Sequence, residues 1–116
     1  MLENISLILQ TQNKMSFQEA QTIAYNALNS ISIEYIAGFR YEKCSEKEIF
    51  YVQLIRACML EESTIIIDQA FNFFADEMNI DFILQALDLL NISYKRVLLI
   101  DLTNQKHHYK ENNYVA

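Results

Sequence analysis

The sequence predicts a helix-rich α+β fold with a small sheet. Apolar residues recur at helical spacing along most of the chain, whereas two short segments have the alternation or composition of β-strands. The 116 residues are enough for one domain with its own hydrophobic core. An all-α bundle is the alternative, because the chain contains one glycine and no proline. We expect a single globular domain over residues 1–104 and a polar C-terminal tail over residues 105–116.

Two helices are expected to begin at serines. Ser16 is followed three residues later by Glu19, and Ser45 by Glu48, which is the spacing of a capping box. The first helix would place these apolar residues on one face: Phe17, Ala20, Ala24, Ala27 and Leu28. The second would cover residues 45–60, although the run from Ile49 onward is also rich in residues that favour strands.

The segment between these helices is predicted to be a half-buried strand. Its larger side chains alternate with polar ones, at Ile31, Ile33, Tyr35 and Ala37. Gly38 follows directly and suits the end of a strand or a bulge.

The C-terminal half is predicted to contain two amphipathic helices and a buried strand. The first helix begins near Thr64, with Ile67, Ala70, Phe71, Phe74 and Met78 on one face. The second covers residues 80–90, with Asp81 as its N-cap. The apolar run over residues 97–100 is rich in residues that favour strands, and we expect it to complete the sheet.

Composition excludes several classes of function. A net charge of −6 opposes direct binding to nucleic acid, and a single glycine cannot build a glycine-rich phosphate loop. No apolar run is long enough to span a membrane, so we expect a cytoplasmic protein. Cys44 and Cys58 have no paired or zinc-like spacing and are expected to be reduced thiols. We predict no catalytic residue, no metal and no cofactor.

Acidic residues are concentrated in one part of the chain. Between Arg56 and Lys95 there is no basic residue, yet seven carboxylates fall there: Glu61, Glu62, Asp68, Asp76, Glu77, Asp81 and Asp88. Helical spacing would align Asp68 with Asp76 on one helix and Asp81 with Asp88 on the next. Such a face can steer a basic partner into contact. The leading hypothesis is a small non-enzymatic inhibitor, such as an immunity protein or antitoxin, that blocks a basic partner such as a nuclease toxin.

The sequence is also compatible with two other functions. Asp68 and Asp101 each follow an apolar run, so two parallel strands would bring both carboxylates to one sheet edge, where a metal-dependent enzyme could bind Mg²⁺. This arrangement requires residues 64–67 to form a strand, against the helical periodicity that begins at Ile67. The other alternative is a homo-oligomeric regulatory subunit.

Overall fold

The computed structural model describes residues 1–60, 64–68, 80–90 and 96–100 of the chain. The chain divides into two compact units, Met1–Glu62 and Ser63–Ala116. The described residues form four α-helices, two short 3-10 turns and a two-stranded sheet, which confirms the predicted helix-rich α+β class. The predicted domain over residues 1–104 and the predicted tail over residues 105–116 stay predictions, because residues 101–116 lie outside the described residues.

Three helices build the first unit: α1 over Leu2–Gln12, α2 over Phe17–Ser30 and α3 over Glu46–Met59. Helix α1 packs against both α2 and α3. Its buried side chains Ile5 and Leu9 lie four residues apart and therefore on one face. Helix α1 was not predicted from the sequence, although this spacing is a helical signal.

Both predicted serine caps are confirmed. The Ser16 side chain accepts a hydrogen bond from the Glu19 backbone N–H at 3.2 Å, and the Ser45 side chain accepts one from Glu48 at the same distance. Glu48 also accepts a hydrogen bond from the backbone N–H of Ser45 at 2.8 Å, which completes a capping box at the start of α3. Each cap satisfies backbone donors that the first helical turn leaves without partners.

Replacing either capping serine by alanine is expected to lower the free energy of unfolding by about 1 kcal/mol. Urea unfolding monitored by circular dichroism measures this loss. Ser30→Ala is the matched control, because the exposed Ser30 hydroxyl only bonds back to the Asn26 carbonyl within α2. Equal losses for Ser16→Ala, Ser45→Ala and Ser30→Ala would contradict a capping role.

The strand predicted between α2 and α3 is wrong. Residues Glu34–Ile36 form a 3-10 turn, and a second 3-10 turn covers Tyr41–Lys43. Ser32 has a φ of +61°, which lies in the left-handed region and interrupts an extended chain. Ile33 and Ile36 are buried whereas Tyr35 is exposed, so burial follows the three-residue period of a 3-10 turn and not the alternation of a strand.

The hydrophobic core of the first unit draws on all three helices and on the α2–α3 connection. Its largest fully buried side chains are Ile5, Leu9, Leu28, Ile36 and Ile55. The face predicted for α2 is correct for Ala20, Ala24, Ala27 and Leu28, which are buried. Phe17 is the exception, with 64% of its side chain exposed. It is the first residue of α2, where the helix has just begun.

The second unit contains strand β1 over Thr64–Asp68, helix α4 over Ile80–Leu89 and strand β2 over Arg96–Ile100. The strands pair in parallel, with Thr64 opposite Arg96 and Asp68 opposite Ile100. The strand predicted at residues 97–100 is confirmed, and the helix predicted to begin near Thr64 is wrong over residues 64–68. Burial alternates along β1, because Ile65 and Ile67 are buried and Ile66 is exposed. The rest of that predicted helix, residues 69–78, lies outside the described residues.

Helix α4 confirms the amphipathic helix predicted over residues 80–90. Ile83 and Ala86 are buried, and they lie three residues apart on the same face. The helix begins at Ile80, so Asp81 belongs to its first turn and is not the N-cap. A carboxylate in the first turn interacts favourably with the positive end of the helix dipole.

Candidate functional site

The polar face of α4 carries two of the seven predicted acidic residues, Asp81 and Asp88. Asp81, Gln85 and Asp88 are exposed, and the buried Ile83 and Ala86 define the other face of the helix. Asp81 and Asp88 are seven residues apart, which corresponds to about 10 Å along a helix axis. The sequence of α4 contains no lysine or arginine, so the helix has no cation of its own to offset these charges.

The other predicted acidic residues have different outcomes. Asp68 is the last residue of β1, so the predicted helical alignment of Asp68 with Asp76 is wrong at its first member. A strand forms there because four consecutive residues, from Thr64 to Ile67, are β-branched and pack well on a pleated surface. The following residues lie outside the described part: Glu61, Glu62, Asp76 and Glu77. One acidic face that includes all seven residues stays a prediction.

The carboxyl edge of the sheet has the topology required by the alternative enzymatic hypothesis. Because β1 and β2 are parallel, both strands end at the same edge, where Asp68 lies opposite Ile100. Asp101 follows Ile100 in the chain but lies outside the described residues. Residues 64–67 therefore form the strand that this hypothesis requires and do not belong to a helix.

The described residues contain neither a candidate membrane span nor a group of metal-ligating side chains. No helix in the described ranges has both the length and the apolar character of a membrane span. In the same ranges, no three His, Cys, Asp or Glu side chains are placed so that they could hold a metal ion together.

A groove at the start of α1 was not predicted from the sequence. It encloses about 570 Å³ between the first turn of α1 and the end of the α2–α3 connection. Met1 is one of its lining residues, and the Met1 ammonium donates hydrogen bonds to the carbonyls of Phe39, at 2.6 Å, and Ala37, at 3.2 Å. Its charged lining residues are Glu3, Arg40 and Glu42. Charges of both signs surround the groove, so it favours neither a cationic nor an anionic ligand.

A cluster of titratable side chains lies between the α2–α3 connection and the start of α3. The Tyr35 hydroxyl donates a hydrogen bond to Glu48 Oε2, and the backbone N–H of Ser45 donates one to Glu48 Oε1. The Tyr35 ring also makes an edge-to-face contact with Phe39, at 6.3 Å between centroids. Glu48 therefore fixes an aromatic side chain and a helix cap at once. We call Tyr35, Cys44, Ser45 and Glu48 the Glu48 cluster.

The pKa values in this cluster follow from its hydrogen bonds. The bond donated by Tyr35, followed by the bond from Ser45, lowers the pKa of Glu48 below its usual range. The same hydrogen bond to Glu48 raises the pKa of Tyr35, and partial burial adds to this shift. Burial, followed by the nearby Glu48 charge, raises the pKa of the Cys44 thiol. The raised pKa keeps Cys44 protonated at neutral pH and makes it a weak nucleophile.

Comparison with known proteins provides no relative from which a role could be transferred. No protein-family model, no curated protein and no solved structure matches this chain. Any function must therefore be argued from the chain's own side chains and their surroundings.

Proposed function

We propose that this protein is a small acidic binding module that acts in the cytoplasm without catalysing a reaction. In this proposal it inhibits a basic protein, as an immunity protein or antitoxin inhibits a nuclease toxin. The acidic segment between Arg56 and Lys95 makes the contact, and the exposed face of α4 belongs to it.

The observation that supports this proposal is the exposure of Asp81 and Asp88 on a helix without basic residues. Because α4 has no lysine or arginine at helical spacing, the charges of its two exposed carboxylates add to one another. Their concentration in one segment creates a negative potential that attracts a positively charged surface. Attraction of this kind accelerates the encounter between an inhibitor and its target.

The inhibition would be steric and electrostatic. A nuclease binds the phosphates of its substrate with clustered lysine and arginine side chains. Carboxylates presented from a rigid helix can occupy those positions, because arginine and lysine form charge-assisted hydrogen bonds with carboxylates as they do with phosphates. The bound inhibitor then excludes nucleic acid from the same surface.

A capture experiment followed by an activity assay tests this proposal. Protein from the source cells is passed over the immobilised chain at low salt, and we expect it to retain a basic protein that high salt releases. The retained protein, once purified, should lose its activity on nucleic acid when an equimolar amount of the chain is added. A retained protein that is neutral or acidic, or retention that does not depend on salt, would contradict the proposal.

The parallel pairing of β1 and β2 favours a second candidate function. A metal-dependent enzyme would use Asp68 and Asp101 to hold a divalent cation at the carboxyl edge of the sheet, where α/β proteins commonly bind ligands. The cation would then polarise a phosphoryl or carbonyl oxygen of a substrate.

Thermal unfolding with added Mg²⁺ or Mn²⁺ distinguishes the two candidates. A cation bound at this edge raises the melting temperature of the wild type but not of Asp68→Asn or Asp101→Asn. Asp88→Asn is the control, since it removes one carboxylate from α4 and leaves the sheet edge intact. If neither cation changes the melting temperature of the wild type, the binding module is the better candidate.

A further inference from the structure

Glu48 accepts hydrogen bonds from two separate parts of the first unit. One carboxylate oxygen accepts the backbone N–H of Ser45 and closes the capping box of α3. The other oxygen accepts the hydroxyl of Tyr35, which lies 13 residues earlier on the first 3-10 turn. Both bonds are made to an ionised acceptor, and charge-assisted hydrogen bonds are about twice as strong as neutral ones.

Two titratable groups outside this cluster, Glu34 and the Met1 ammonium, influence it electrostatically. The carboxylates of Glu34 and Glu48 and the thiol of Cys44 raise the pKa of Tyr35. Glu48 also raises the pKa of Cys44, whereas the Met1 ammonium lowers it. The Cys44 thiol donates its hydrogen bond to the Arg40 carbonyl, at 3.6 Å, and so leaves both oxygens of Glu48 to Ser45 and Tyr35. Glu48 is therefore the group whose protonation changes both bonds.

We infer that Glu48 couples the position of the Tyr35 side chain to the N-terminal cap of α3, and that protonation of Glu48 breaks this coupling. Neutralising this carboxylate weakens both hydrogen bonds in one step, so the aromatic side chain and the helix cap loosen together. Tyr35 is the positioning residue of the pair. It holds Glu48 ionised and oriented, and through Glu48 it stabilises a helix that begins 11 residues further along the chain.

The direction of the pH dependence follows from the hydrogen bonds. Glu48 has a lower pKa in the folded chain than in the unfolded chain, where an ordinary glutamate titrates at about 4.3. Its contribution to stability is fully present above the unfolded pKa and is lost as the pH falls through the folded pKa. Removing the Tyr35 hydroxyl removes the main cause of the lowered pKa, so the cap should then loosen at a higher pH.

An NMR titration of the full chain tests this coupling. In the wild type we expect the Tyr35 ring signals and the Ser45 backbone amide signal to change with one common midpoint. In Tyr35→Phe the midpoint at the Ser45 amide should move to higher pH. Tyr41→Phe is the matched control, because it removes the hydroxyl of another exposed tyrosine on the same connection and should leave that midpoint unchanged.

A second variant separates coupling from a local effect at Tyr35. Glu48→Gln keeps the shape of the side chain and removes its charge, so the titration that the two signals share in the wild type should disappear. Different midpoints for Tyr35 and Ser45 in the wild type would overturn the inference. An unchanged Ser45 midpoint in Tyr35→Phe would also overturn it, because the helix cap would then be independent of the tyrosine.

Discussion

Replacing Ile55 by alanine is expected to lower the free energy of unfolding of this protein by about 2–5 kcal/mol. Ile55 lies in the second half of α3 and its side chain is 0% exposed. Truncating it removes apolar area from the core and leaves a cavity that the surrounding helices can fill only in part. Proteins of this kind are stable by only about 5–15 kcal/mol, so this loss is a large fraction of the total and the variant is expected to be marginally stable.

Chemical unfolding monitored by circular dichroism measures the effect. Ile55→Val is the milder variant, with an expected loss of about 0.5–1.5 kcal/mol, and it provides a value if Ile55→Ala does not fold. Gln53→Ala is the control, since Gln53 is exposed on the same helix and alanine favours helix formation. Equal stabilities for Ile55→Val and Gln53→Ala would show that Ile55 does not belong to the core.

The helix starts could be predicted because their signals are local. A serine with a glutamate three residues later places a cap within one helical turn, and the structure shows such caps at Ser16 and Ser45. The buried face of α4 follows in the same way from the spacing of its apolar residues. Both signals depend on neighbours in the sequence and not on the rest of the fold.

The wrong predictions come from short apolar runs, in which the spacing of a helix cannot be distinguished from the alternation of a strand. Ile67 extends a helical pattern toward Phe71, but it also ends a run of four β-branched residues, and pairing with β2 favours the strand. At residues 31–37 four alternating positions resembled a strand, whereas the positive φ of Ser32 and the burial of Ile36 produce a 3-10 turn. Tertiary contacts decide such segments, and a single sequence does not show them.

The same limit applies to the candidate sites. The exposure of Asp81 and Asp88 could be predicted, because the polar face of a helix follows from its sequence. The contact between Tyr35 and Glu48 could not, since it joins residues on different elements and depends on how the α2–α3 connection folds back. The groove at Glu3 and Arg40 likewise depends on the docking of α1 against that connection.

Reversing Asp81 and Asp88 to lysine is expected to slow association with the basic partner about tenfold or more at low salt. Electrostatic attraction acts over about a Debye length, before the two surfaces touch, so its loss lowers the rate of encounter. Dissociation should also become faster, because the charge reversal removes the charge-assisted hydrogen bonds that the two carboxylates would make with lysine and arginine of the partner. Added salt should weaken wild-type binding more than binding of this double variant. Surface plasmon resonance at several salt concentrations measures both rates.

The decisive control changes the net charge equally on another surface. Glu3→Lys with Glu42→Lys raises the net charge by as much as Asp81→Lys with Asp88→Lys, and both carboxylates are exposed in the first unit. One member of each pair is also matched in helix position, because Glu3 lies in the first turn of α1 and Asp81 in the first turn of α4, where lysine is unfavourable. If both pairs slow association equally, total charge alone steers the partner and α4 is not its docking face. A much slower association for the α4 pair alone would instead show that the position of the charge matters, as a specific inhibitor requires.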